Sequence, residues 1–352
     1  MQFHSNQNLA IVGAGVSGLA AAWALRDSDW NCVVFEKSRG YSGRAASRTR
    51  EGVRFDYGAN FFKTDSEALE QLVLRELPTE GLIDIAGDVC TFDRDGNVSP
   101  GDPLQNAEPK WNYRDGISTL GKRLAVACGA TVQRETQVGA LVETGSGSWG
   151  LEDEAGNELG EFDAVLLTPP APQLADLIEA SELEDGEDKE ELVRLLGESE
   201  FYRQLSLVFG FDGEIVRPEA CYALLNADRR HQVAWLSFEN AKPGRVPDGE
   251  GVLIAQMAPV WTEEHYDACD EVLQNEALRA VSTIIDLGGA TLTWFDKQRW
   301  RYAHPKVALD VEEVEEAAPQ GLFFAGDAFV GKGRVGGAIE TGFAAAERIS
   351  EL

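Results

Sequence analysis

The stretch Leu9-Ala10-Ile11-Val12-Gly13-Ala14-Gly15-Val16-Ser17-Gly18-Leu19, with Glu36 eighteen residues beyond Gly18, decides the fold of this chain. Residues 9–13 form a short apolar run, glycines come next, and residues 19–25 are again apolar-rich, which reads as strand, tight turn and helix. A polar turn over 26–29 leads into a second strand at 32–35. Together they predict a βαβ unit, hence a parallel sheet with helices on its faces. Each glycine of the GxGxxG pattern has a task. Gly13 permits the turn, Gly15 lets a pyrophosphate approach the backbone, and Gly18 lets the helix pack closely on the strand. The helix start at Val16 and Ser17 offers free N–H groups to phosphate, and Glu36 can accept hydrogen bonds from ribose hydroxyls. At this point the dinucleotide is FAD or NAD.

Composition bounds the rest. The chain has 352 residues, is 43% hydrophobic and carries a formal charge of −29. That is enough for one large or two medium domains with a sizeable core. Eight Trp, 16 Phe and dispersed glycines exclude disorder, collagen and coiled coil, and the apolar runs are too short to span a bilayer. The charge argues against nucleic acid and anionic membrane as partners. The first residues show no export signal, so the expected location is cytoplasmic. With 9 Lys against 22 Arg, the acidity fits a salt-rich cytoplasm or, equally, two solvated acidic faces at 179–200 and 310–316. Cys32, Cys90, Cys128, Cys221 and Cys269 are scattered and odd in number. They read as reduced and mostly buried, with neither a disulfide framework nor a zinc site.

Further strands are expected at 130–132, 140–142, 149–152, 159–162, 164–168, 204–210, 233–238, 252–257 and 322–325, and helices at 173–200, 270–287 and 338–352. The informative motifs sit at the two ends of the chain. The expected fold class is therefore α/β: a discontinuous Rossmann-like dinucleotide domain from 1–60, 115–172 and 296–352, with an inserted mixed-sheet substrate domain from 61–114 and 173–295.

The residues after Glu36 choose between the nucleotides. Glu36-Lys37-Ser38-Arg39-Gly40-Tyr41-Ser42-Gly43-Arg44, then Phe55-Asp56-Tyr57-Gly58-Ala59-Asn60-Phe61-Phe62, resembles the flavin amine oxidase superfamily and, within it, the bacterial renalase branch. The resemblance implies FAD, with Arg44 on the pyrophosphate and Asp56, Gly58, Ala59 and Asn60 in a loop beside the flavin. Ser42 stands where the family has a glycine, so the backbone there is less free to take positive φ. At the other end Phe324-Ala325-Gly326-Asp327 and Arg334-Val335-Gly336-Gly337-Ala338 resemble the C-terminal flavin motif. That likeness gives Asp327 ribityl or pyrophosphate bonds and puts Val335 at the pyrimidine ring. Gly336 replaces the family glutamate. Thinner likenesses at 110–124, 136–138, 167–173 and 299–302 imply that Val138 meets adenine and that Arg299-Trp300-Arg301-Tyr302 lies near the active site.

Trp300 and Tyr302 fall on one face of a strand and could wall a pocket or fill a core. Phe62 joins them as a candidate wall, and Trp235 is a weaker one. Of His4, His231, His265 and His304, the last is the best candidate for a polar pocket group, since it comes just after the aromatic pair, the alternative for each being an ordinary surface histidine. No spacing suits a metal, and no G-x-S-x-G elbow is present. No lysine matches the catalytic lysine of the amine oxidases, Lys297 and Lys332 being nominal candidates. That favours an oxidase accepting hydride from a dihydronicotinamide-type small molecule, with O2 as acceptor and H2O2 as product. The alternatives are a flavin amine oxidase or desaturase acting on another substrate, and a nucleotide-binding module without turnover.

Overall fold

The computed structural model describes residues 7–145 and 147–352, so His4 lies outside the described residues. Four continuous apolar segments build the centre of a five-stranded sheet. Its order is Leu322–Phe324, Ala164–Leu167, Gln7–Val12, Trp30–Glu36, Thr131–Arg134, and every neighbouring pair is parallel. Strands covered on both faces are apolar throughout, which is why LAIV, VVF and AVLL pair here. One face carries the helices Val16–Ala24 and Val335–Ser350. These two approach so closely that a Cβ at Gly342 would lie 2.2 Å from the Ser17 carbonyl oxygen. The other face is covered by a three-stranded antiparallel sheet, Val138–Glu143, Trp149–Asp153 and Glu158–Phe162, which buries Trp149 and Phe162 against Phe35, Leu167 and Phe324.

The second layer is a seven-stranded sheet in the order Thr291–Pro305, Phe201–Asp212, Glu250–Met257, Val233–Phe238, Cys221–Asn226, Asp88–Phe92, Val98–Ser99. It is antiparallel except where Cys221–Asn226 runs parallel to Asp88–Phe92. Leu205, Leu207 and Phe209 point to one face and bury the apolar stripe Leu273, Ala277, Ala280 and Val281 of the helix Asp270–Ser282. Ser206, Ser237 and Gln256 have the opposite parity and face the first layer.

The structure differs from the sequence reading in three respects. Residues 296–305, grouped above with the dinucleotide segments, continue the edge strand Thr291–Pro305 of the seven-stranded sheet. The helix expected over 173–200 is two helices, Ala171–Ala180 and Gly186–Gly197, and Asp185 caps the second by accepting from the Glu187 N–H. Finally, Cys90 and Cys221 form a disulfide, against the expectation of five reduced thiols. The parallel pairing of their strands brings the two Cα atoms to 5.8 Å across 131 residues of sequence. Cys32, Cys128 and Cys269 are free. No helix among the described residues is long and apolar enough to cross a membrane.

Candidate active site

A cleft of about 960 Å³ runs between the carboxyl ends of the parallel strands and the polar face of the seven-stranded sheet. Its first end is built by the glycine turn. Gly13 has φ +105°, and a Cβ there would meet the Thr168 hydroxyl at 2.5 Å, so only glycine fits. A Cβ on Gly15 would meet nothing within 4 Å, because this residue faces open cleft. Gly18 serves packing: its added Cβ would lie 2.3 Å from the Gly13 carbonyl oxygen. The helix Val16–Ala24 that starts here has no side-chain cap, which leaves its first N–H groups free for an anion.

Glu36 lies at the cleft edge and holds the turn in place. Its carboxylate accepts the Ala14 N–H at 2.9 Å and the Ser38 N–H at 2.8 Å, and also takes the Ser38 hydroxyl. Lys37 and Val138 line the same end. Ser42 does adopt the left-handed conformation, with φ +82°, beside Gly43 at +56°. An L-residue there costs roughly 1–2 kcal/mol. The pairing that holds it is the Ser42 N–H to the Ala14 carbonyl, 2.9 Å.

Arg44, Asp327 and the edge strand meet in the middle of the cleft. One Arg44 nitrogen lies 2.6 Å from the Asp327 carboxylate, and another donates to the Tyr302 and Ala303 carbonyls at 3.2 and 3.3 Å. Gly326, Arg334, Val335 and Ala338 complete this wall at the start of the helix Val335–Ser350, a second helix without a side-chain cap. His304 lines the cleft beside them. Burial and the Arg44 charge push its imidazole below its ordinary pKa against the pull of Asp327, so the ring is neutral at pH 7.

The far end belongs to the sheet. Trp300 stacks on Tyr57 with ring centroids 5.6 Å apart and 13° between planes, and its indole N–H donates to the Tyr57 carbonyl at 3.1 Å. Tyr302, Gln204 and Gln256 line this part too. Gln256 donates to the Gly58 carbonyl at 2.8 Å, so that Gly58 and Ala59, also in the lining, are held from the sheet side.

Four expected residues lie elsewhere. Ala14 and Gly18 are buried behind the turn, and Asn60 is buried with its Oδ1 accepting from Ser237 at 2.9 Å. Phe62 is not a cleft wall. Its backbone pairs on both sides with Trp111, which turns the ring into the core against Tyr113. Trp235 packs against Phe61 and Tyr222 behind the cleft. His231 and His265 are held by Thr283 and Glu276, away from the cleft. Of the candidate lysines, Lys297 pairs with Asp270 and Lys332 is exposed.

Sequence reasoning also missed a fully buried ionic group under the loop. Lys242 lies 2.8 Å from Asp56 and 2.6 Å from Glu239, and Arg245 lies 3.0 and 3.2 Å from the same two carboxylates, all four side chains being 0% exposed. Burial alone would raise Asp56, but the two cations outweigh it and hold the carboxyl well below its usual range. Burial dominates at Glu239 and pushes it up. The visible signal was Lys242-Pro243-Gly244-Arg245, which reads as an ordinary polar turn.

Comparison with known proteins fits this geometry. The description "NAD(P)-binding Rossmann-like domain" matches residues 11–77, and "Flavin containing amine oxidoreductase" matches residues 84–350. The chain belongs to the flavin-containing amine oxidoreductase family. Protoporphyrinogen oxidase 2 of Arabidopsis thaliana is 42% identical over 77 residues, and the mitochondrial protoporphyrinogen oxidase of Nicotiana tabacum 40% over 77. Each match covers 20% of this chain and 15% of the relative. Among solved structures, a candidate protoporphyrinogen oxidase from Exiguobacterium sp. 255-15 superposes with a TM-score of 0.77 at 17% identity, covering 99% of both chains. Cyclohexylamine oxidase from Brevibacterium oxydans gives 0.75 at 16%, covering 98% of this chain and 99% of that one. At such identities the likeness establishes the fold.

Membership of this flavin-containing family makes the chain a flavin-dependent oxidoreductase with FAD as its cofactor. The cleft fits that group on its own terms: an open glycine at an uncapped helix start suits a pyrophosphate, and Glu36 suits a ribose. A second uncapped helix start suits the electron-rich ring.

Proposed function

We infer that this flavoprotein is renalase-like and oxidises a dihydronicotinamide-type small molecule, with O2 as acceptor and H2O2 as product. The observation that carries the reading is the chemistry of the sheet end of the cleft. The side chains that the seven-stranded sheet brings to the cleft, Gln204, Gln256, Trp300, Tyr302 and His304, are amides, aromatics and one neutral imidazole, whereas the Arg299 guanidinium is held away from it by the Tyr266 and Ala268 carbonyls. The acidic groups of the lining, Glu36, Glu154, Asp176 and Asp327, all come from other elements. A protonated polyamine would thus meet amides and rings but no carboxylate of this sheet, whereas a neutral flat ring with polar substituents suits such walls.

Bound FAD supplies the two-electron chemistry of hydride acceptance. The chain's own residues supply placement. Gly15 and the start of Val16–Ala24 take the pyrophosphate together with Arg44, and Glu36 takes the adenosine ribose. Val138 would meet the adenine, and Asp327, which pairs with Arg44, would take a ribityl or phosphate group. The helix start at Val335 stabilises negative charge on the reduced ring. Trp300, clamped by Tyr57, and Tyr302 exclude water and keep a flat substrate parallel to the flavin. Hydride donation from a dihydropyridine needs orientation more than proton abstraction, which matches a sheet end that contributes no lysine.

An anaerobic titration of the purified flavoprotein tests the reading. Stoichiometric loss of flavin absorbance with 2- or 6-dihydro-NAD, followed by H2O2 formation on admitting air, is the expected result. Bleaching by benzylamine or a polyamine alone would replace it with an amine oxidase, and bleaching by no member of the panel would leave a nucleotide-binding module.

A further inference from the structure

Gln204 and Gln256 are amides beside Ser206, Val208 and Ile254, the apolar or small residues that share their face of the two strands, and both line the cleft. Gln256 is fixed in one orientation. Its NH2 group donates to the Gly58 carbonyl at 2.8 Å, so its oxygen is the end left over. That oxygen accepts from no group among the described residues, and it is not sealed away from the cleft as the orphaned hydroxyl of Ser206 is. Gln204 makes no amide hydrogen bond among the described residues. Register brings the two together: Ser206 is the cross-strand partner of Gln256, and Gln204 lies two residues from Ser206 on the same face. Diagonal neighbours of this kind stand about 7–8 Å apart, within reach of one small group placed between two long side chains.

Resting on the dihydronicotinamide reading, we propose that Gln256 and Gln204 are specificity-determining residues that recognise a primary carboxamide on the substrate ring. The Gln256 oxygen accepts one carboxamide N–H, and the Gln204 amide donates to the carboxamide oxygen. Because Gly58 prevents Gln256 from turning over, this position accepts and does not donate. A substituent that has a carbonyl but no N–H leaves the Gln256 oxygen facing an apolar group, which costs affinity. The second amide, free to rotate, tolerates either substituent.

The test is equilibrium binding of oxidised rings to the oxidised FAD-loaded protein, read from the perturbation of the flavin absorption spectrum. Nicotinamide and 3-acetylpyridine are both neutral and nearly the same size, and differ in the N–H donors. The wild type should bind nicotinamide about three- to tenfold more tightly, the worth of one neutral hydrogen bond. Gln256→Leu should abolish that preference. Gln204→Leu should weaken both ligands while leaving their ratio unchanged, which also guards against a Gln256 variant that merely disturbs the 57–60 loop. Equal affinities in the wild type, no binding of either ring, or a preference that survives Gln256→Leu would each overturn the proposal. Failure of the dihydronicotinamide reading shows separately, as a flavin that binds nicotinamide selectively yet is not reduced by any dihydro isomer.

Discussion

Arg44 and Asp327, 283 residues apart, meet as an ion pair of 2.6 Å on the cleft wall. The same guanidinium holds the Tyr302 and Ala303 carbonyls. One side chain therefore ties the glycine-turn region to the C-terminal flavin motif and to the edge strand that carries Trp300. Asp327 is 7% exposed and depends on that cation.

Arg44→Met should weaken FAD binding by about 1.5–3 kcal/mol, the range for hydrogen bonds to a charged group. Arg44→Lys keeps the charge but loses the fork that reaches carboxylate and carbonyls together, so it should recover only part of the loss. Titrating apoprotein with FAD measures both. Wild-type affinity in Arg44→Met would remove Arg44 from the cofactor site.

The buried group under the loop is electrically balanced, with two cations and two carboxylates. Lys242→Met removes one cation and leaves an uncompensated buried carboxylate, at a cost of about 3–5 kcal/mol. Denaturant unfolding should show the midpoint falling with little change in slope. A loss under about 1 kcal/mol would mean that the network is not sealed from water.

The five-stranded sheet and its nucleotide turn were legible in the sequence because their determinants are local. Parallel strands covered on both faces are continuous apolar runs, and the turn needs glycine at fixed offsets. The seven-stranded sheet was only half legible. Phe201–Asp212 and Glu250–Met257 carry long apolar runs, whereas Asp88–Phe92 and Val98–Ser99 are short, and the pairing of Asp88–Phe92 with Cys221–Asn226 joins segments far apart in sequence. The Cys90–Cys221 bond depends on that same pairing. Adjacency on one strand is enough to find Trp300, Tyr302 and His304, and all three line the cleft. Adjacency to Asn60 misleads for Phe62, because the backbone pairing with Trp111 decides its direction. Gln204 and Gln256 carry no motif, the only trace being an amide amid apolar neighbours.

Alkylation checks the disulfide. Denatured without reductant, the protein should take up three labels, on Cys32, Cys128 and Cys269, and with reductant five. Reduction should cost about 2–5 kcal/mol of stability. Five labels without reductant would restore the reading of reduced thiols.

Acid should destabilise the protein in a defined window. Burial, the first cause for both, lowers the His304 and His231 pKa values in the folded state below the ordinary 6.5. The unfolded chain then binds more protons than the folded one just below that pH, so stability rises with pH through the window and is lost on acidification. The melting temperature should be flat from pH 8 to 7 and fall once the pH drops below about 6.5. Replacing His304 by Gln should flatten part of that fall, and a slope unchanged by the substitution would mean that His304 contributes none of it.

The most direct test of the central claim is anaerobic stopped-flow reduction of the FAD-loaded protein. Flavin absorbance should bleach rapidly with 2- or 6-dihydro-NAD and far more slowly with benzylamine or a polyamine, and Trp300→Ala should slow the fast reaction without releasing FAD. Rapid bleaching by an amine, with no response to any dihydronicotinamide isomer, would contradict the account.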